Sequence, residues 1–193
     1  MREGGAFMKF IDAPLPGVVV IEPDVYRDGR GLFLETFHDG RYKDGGISRS
    51  FVQDNRSRSR RGVLRGLHYQ LRHPQAKLIY AVRGEIFDVV VDIRAGSATF
   101  GKSYSTVLAG DNFKQVFVPE GYAHGFCVIS DEAEVIYKCT DFYTPGDEYG
   151  VQWCDPFLGI AWPVTNPILS EKDAKYPPLL DIPAELLPNG HGR

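Results

Sequence analysis

Cysteine is scarce in this chain: Cys127, Cys139 and Cys154 are the only three among 193 residues, an odd count with no close pair. Cys127 stands in the apolar run Gly125-Phe126-Cys127-Val128-Ile129, the setting of a buried reduced thiol. A reducing, cytoplasmic compartment is therefore expected. Long hydrophobic runs are missing too. Val18-Val19-Val20-Ile21 reads as a strand and falls far short of the ~20 apolar residues that span a bilayer. Met1 to Phe10 lacks the apolar stretch of a signal peptide. Met8 is an alternative start, and in that case the Gly-Gly-containing segment ahead of it is expected to be disordered. Basic excess is absent: 22 Lys and Arg against 25 Asp and Glu give a formal charge of -3, which argues against a general nucleic-acid binder. There is no internal repeat, no linker, and no segment that keeps an amphipathic helical period for three turns.

What is present is one domain's length of short β-rich runs, separated by turn residues at roughly ten-residue spacing. Strands are expected at Gly17–Glu22, Gly31–Phe37, Ser50–Asp54, Val63–Gln70, Lys77–Val82, Glu85–Ile93, Ser103–Leu108, Gln115–Val118, His124–Ser130 and Glu134–Thr140. That spacing predicts an all-β sandwich or barrel. In Glu85–Ile93, Phe87, Val89, Val91 and Ile93 share one face and Asp88 and Asp92 the other, the pattern of a half-buried strand. Short helical turns are expected near Asp39–Lys43 and Ser170–Ala174. The proline-rich stretch after Trp162 cannot pair as an interior strand, so it should wrap the outside of the barrel.

Two stretches could carry chemistry. One is Gln53-Asp54-Asn55 followed by Gly62 to Gln70; the other runs from Val118 to Phe126. Both resemble the paired motifs of the cupin superfamily, small jelly-roll (double-stranded β-helix) barrels that often bind a metal. Gly62, His68 and Gly84 fit the first motif and Pro119-Glu120-Gly121-Tyr122-Ala123-His124 the second. The departures are informative. Gln70 stands where a second histidine would be, and Lys77 where a glutamate would be. An ammonium repels a divalent cation and has no lone pair to give it, so no metal is expected. Positive charge in such a pocket suits an anion or an enolate-forming ligand, and a histidine titrating near neutrality suits general base work. Arg65 and His68 should point to opposite faces of a regular strand. Either Arg65 serves another surface, or Gly66 marks a bulge that turns both inward.

With these motifs in place, the chain resembles the dTDP-4-dehydrorhamnose 3,5-epimerase family from about residue 10 to residue 182. The match includes Asp28-Gly29-Arg30-Gly31-Leu32-Phe33-Leu34-Glu35, Phe51 to Asn55 with Ser57 and Ser59, Val63 to Gln70, Pro119 to Phe126, Tyr137-Lys138-Cys139-Thr140 and Leu169 to Ala174. The resemblance implies a cupin-like barrel and a cofactor-free isomerase acting on a dTDP-linked 4-keto-6-deoxy sugar. It implies His68 as base, Asp173 as its partner, Tyr137 as acid and Lys77 beside the C4 oxygen. It further implies Arg30 and Arg65 on the pyrophosphate, and Gln53, Asn55 and a stacking Tyr143 at the thymidine end. Glu35, His124, Glu148 and Lys172 match further ligand-contacting positions. The Arg30–Glu35 segment would reach a neighbouring subunit's site, implying a homodimer. Three rivals remain: an epimerase acting at C3 or C5 alone, a metal-dependent cupin dioxygenase, and an inactive sugar-nucleotide binding module. Gln70 and Lys77 weigh against the dioxygenase, and the joint presence of His68, Tyr137 and Asp173 weighs against the inactive module.

Overall fold

The computed structural model describes residues 8–190, so the expectations about the first residues and the last three fall largely outside it. The described residues form thirteen strands. These are β1 (Lys9–Asp12), β2 (Val19–Glu22), β3 (Val25–Asp28), β4 (Gly31–Leu34), β5 (Gln53–Arg60), β6 (Leu64–Gln70), β7 (Lys77–Arg83) and β8 (Glu85–Asp92). They continue with β9 (Ser103–Ala109), β10 (Gln115–Val118), β11 (Tyr122–Val128), β12 (Glu132–Cys139) and β13 (Glu148–Gly150). One helix, α1 (Asp39–Asp44), and a 3-10 turn at Asp173–Lys175 stand where helical turns were expected.

Two antiparallel sheets face one another as a cupin-like jelly roll. One has six strands in the order β1-β2-β10-β7-β12-β5, and the other has five in the order β13-β6-β11-β8-β9. Between them Val20, Ile79, Val90, Val116, Phe126 and Val135 form the inner core. α1 covers the back of the larger sheet, where Tyr42 packs on Ile21, Leu78 and Phe117. The proline-rich tail covers the back of the smaller one: Leu179, Ile182 and Leu187 pack on Val89, Val91 and Ile93. It wraps the outside of the barrel, as its prolines require.

Two expectations are corrected. Glu85–Ile93 is not half-buried. Asp88 and Asp92 are 1% and 0% exposed, because the tail covers the outer face while the inner face lines the barrel. Asp92 is held there by Arg94, Ser97 and Thr99. The strand expected at Ser50–Asp54 lies at Gln53–Arg60 instead. Its inner face carries Gln53, Asn55, Ser57 and Ser59, and its outer face carries Arg56 and Arg58, paired with Glu134 and Glu132. β1, β3 and β13 had no counterpart among the expected strands.

Candidate active site

One end of the barrel opens into a cleft of about 420 Å³. The smaller sheet contributes Arg65 and His68 from β6, His124 and Phe126 from β11 and Glu148 from β13. The larger sheet contributes Ser57, Lys77 and Tyr137 from β5, β7 and β12. The tail closes the rim with Ser170, Lys172 and Asp173. His68 and Tyr137 therefore stand on opposing walls of one cavity.

Arg65 and His68 share this cavity because β6 carries an extra residue. Against β11, His68 pairs with His124 and Arg65 with Phe126, three residues on one strand opposite two on the other. Gly66 supplies the bulge with φ of 123°, and a Cβ there would stand 2.6 Å from the Gly125 Cα and 2.8 Å from the His124 carbonyl oxygen. No residue but glycine fits that approach. Of the two alternatives for Arg65, the bulge is the one the chain adopts. The Arg65 guanidinium donates to Ser59 Oγ from both Nε and Nη2, at 3.1 and 3.0 Å.

His68 Nε2 lies 2.7 Å from Asp173 Oδ1. Asp173 is 3% exposed. Burial by itself raises its pKa, but the hydrogen bond and charge of His68, the Gly66 N–H and Ser170 outweigh burial, and the net shift is downward. Asp173 thus remains a carboxylate that fixes the imidazole with Nε2 as donor, leaving Nδ1 as the basic nitrogen. Glu148 Oε1 lies 3.7 Å from Nδ1 and also pairs with Lys172. At the floor, His124 Nε2 meets Asp88 Oδ2 at 2.8 Å.

On the opposing wall, burial pushes the Lys77 ammonium below the ordinary lysine value, against the pull of Cys139, Glu148 and Asp88. Burial and then Cys139 push the Tyr137 phenol up, while Arg65 draws it down. Tyr137 accordingly holds its proton at neutral pH. The Gln70 side chain donates to the His73 and Phe142 carbonyls and accepts from the Thr144 N–H, anchoring the loop at the cleft mouth. No cluster of three or more His, Cys, Asp or Glu placed to hold a metal ion occurs among the described residues.

At the mouth, Gln53 Nε2 donates to Asn55 Oδ1 at 3.0 Å, and Gln53 Oε1 accepts from the Tyr143 N–H at 2.9 Å. Tyr143 is 51% exposed, and its hydroxyl donates to Glu148 Oε2 at 3.4 Å. Arg30 and Glu35 lie apart, on and beside the β3–β4 hairpin, where they pair with Asp28 and Arg41.

A family model described as dTDP-4-dehydrorhamnose 3,5-epimerase matches residues 12–181. The chain belongs to the dTDP-4-dehydrorhamnose 3,5-epimerase family. A curated family member from Neisseria gonorrhoeae is 54% identical over 167 residues, 86% of this chain, which spans only 51% of that relative's length. Another, from Methanothermobacter thermautotrophicus, is 48% identical over 94% of this chain and 100% of its own. Among solved structures, a dTDP-6-deoxy-D-glucose-3,5-epimerase from Legionella pneumophila, in complex with dTDP-4-keto-L-rhamnose, superimposes with a TM-score of 0.93 at 47% identity. It covers 96% of this chain and 100% of that one.

Sequence reasoning assigned no role to several groups that this epimerase-family fold places in or against the cleft. Ser57, Phe126 and Ser170 line it, Asp88 holds His124, and Tyr176 packs edge-on against His68. Asp88 carried a signal in the period-two pattern of its strand. Tyr176, in a proline-rich tail, carried none.

Proposed function

We propose that this chain epimerises C3 and C5 of dTDP-4-dehydro-6-deoxy-D-glucose to give dTDP-4-dehydro-L-rhamnose. One observation carries the reading: a carboxylate-held imidazole on one sheet and a protonated phenol on the facing sheet line the same cleft. Inversion of a carbon centre needs a base on one face and an acid on the other. The C4 ketone acidifies the hydrogens on C3 and C5. His68 Nδ1 takes one of these protons, and charge builds on the C4 oxygen. Lys77 stabilises that enolate. The Tyr137 hydroxyl donates a proton to the opposite face of the carbon. His68 and Tyr137 then return to their starting protonation states by exchange with water, and the second carbon follows.

Arg65, with its forked guanidinium, holds the pyrophosphate. Lys172 and Glu148 close over the sugar, and Gln53, Asn55 and the Tyr143 ring receive the thymidine end. His124, fixed by Asp88, floors the sugar subsite. The chain works as a homodimer in which Arg30 and Glu35 enter the neighbouring subunit's cleft. It works in the cytoplasm, consistent with its three free cysteines.

Heavy water gives the direct test. Incubation with dTDP-4-dehydro-6-deoxy-D-glucose in deuterium oxide should place deuterium at both C3 and C5, read by mass spectrometry and proton NMR. Exchange at one carbon alone would replace this reading with a single-centre epimerase, and exchange at neither would end it.

A further inference from the structure

We propose that Tyr176 is a positioning residue that holds the His68–Asp173 pair in its working geometry. The inference deepens the reading of His68 as base and rests on it. Tyr176 stands at the C-terminal end of the 3-10 turn Asp173–Lys175. Two side chains of one short segment therefore bear on one imidazole. Asp173 bonds Nε2, and the Tyr176 ring meets the imidazole edge-on, with centroids 5.7 Å apart and planes inclined at 71°.

The ring has a slot of its own. Gly150 pairs with His68 across β13 and β6, and a Cβ at Gly150 would stand 2.4 Å from the Tyr176 ring. The bare glycine backbone leaves room for an aromatic ring beside the imidazole. The segment is tied down on both sides. The Asp173 N–H donates to Ser170 Oγ at 3.1 Å, and the Pro177 carbonyl accepts from Gln152 N–H at 2.9 Å. Pro177 and Pro178 follow directly and stiffen the exit.

The hydroxyl is not what holds the residue there. The Tyr176 oxygen is buried and has no hydrogen-bond partner among the described residues. Burial, and then the carboxylates of Glu148 and Asp173, push the phenol's pKa upward, so the group stays neutral beside them. Tyr176 acts as an uncharged wall. It limits rotation of the imidazole and keeps water from competing for the Asp173 bond, which is stronger for being desolvated.

The test compares Tyr176→Ala, Tyr176→Leu and Tyr176→Phe in the full-length protein, with folding checked by thermal melting. Two readouts are taken: the kcat and KM of epimerisation, and the downfield proton resonance of the His68 N–H bonded to Asp173, assigned by its loss in His68→Asn. Removing the ring should lower kcat about tenfold or more with KM little changed, because a shift of a positioned base costs rate rather than binding. The resonance should broaden or vanish in the Ala and Leu variants and persist in Phe, whose kcat should stay near wild type. If the Ala variant does not fold, Leu and Phe decide. Unchanged kcat and resonance in the ring-less variants would overturn the proposal. So would a Phe variant as impaired as Leu, which would give the role to the hydroxyl. Loss of the resonance with undiminished turnover would support the positioning role while overturning His68 as the base.

Discussion

Lys77 stands under opposing demands in the proposed reaction. Its charge would be useful where the enolate forms, and burial makes a charge costly at that same place. Burial lowers its pKa, so between its folded and unfolded values the unfolded chain binds the extra proton. Stability from this residue therefore rises with pH through that window, while enolate stabilisation falls as the ammonium deprotonates. Lys77→Met should thus melt at the same or a higher temperature at pH 7, yet lose roughly 10²–10³ in kcat, the usual cost of one oxyanion donor. Arginine holds its proton far more firmly. Any activity kept by Lys77→Arg should therefore lack the wild type's alkaline decline, as a pH–rate profile would show. His68→Asn tests the other wall. Calorimetry should find ligand affinity mostly intact while turnover drops about 10²–10⁴-fold, as expected for a missing proton-transfer group. Near-normal turnover would assign the base elsewhere.

Strand β6 shows how an element places two such residues. Without the bulge, Arg65 would face away from the cleft, and the proposed pyrophosphate contact would lose its forked donor. Gly66→Ala should push β6 off β11, because the new methyl meets backbone that cannot move aside. The expected cost is about 1–3 kcal/mol in a urea melt, as for other overpacked sites. A fall in substrate affinity should accompany it as Arg65 and His68 lose their common face. Much at this scale was legible in the sequence. The β-rich runs and turns gave the all-β class, and the glycine inside Val63–Gln70 flagged the bulge. β5 was not legible over its length. Its alternation is serine against arginine, with no apolar face, because one side lines a polar cleft and the other carries ion pairs to β12. β8 misled for the converse reason: its aspartates look solvated, but Asp88 holds His124 and Asp92 holds Arg94. No local pattern discloses a tail that returns from over a hundred residues away to bring Asp173 to His68. Family resemblance implied that pairing, and the structure places His68 Nε2 2.7 Å from Asp173 Oδ1.

At the scale of the whole molecule, the β3–β4 hairpin is the element that the rest of the chain does not explain. Among the described residues its strands pair with each other and with neither large sheet. Tyr26, Leu32 and Phe33 are 58%, 46% and 69% exposed along it. An isolated two-stranded ribbon is marginal in water, and the proposed homodimer would cover those side chains with a second copy of the chain. If that cover is mutual, each cleft takes its Arg30 from the other subunit, and the arrangement can be tested by complementation. Arg30→Ala and His68→Asn homodimers should each be impaired. Dissociated together and reassembled, they form mixed dimers holding one cleft with a native His68 and a native Arg30. Random reassembly puts half the dimers in the mixed form with one intact site each, so activity should recover to about a quarter of wild type. An Arg30 that served its own subunit's cleft would give no recovery, since every cleft would then lack one of the two residues. Phe33→Asp supplies the control. It should shift the sedimentation coefficient toward the monomer, and activity should fall on dilution while the His68–Asp173 proton resonance stays in place.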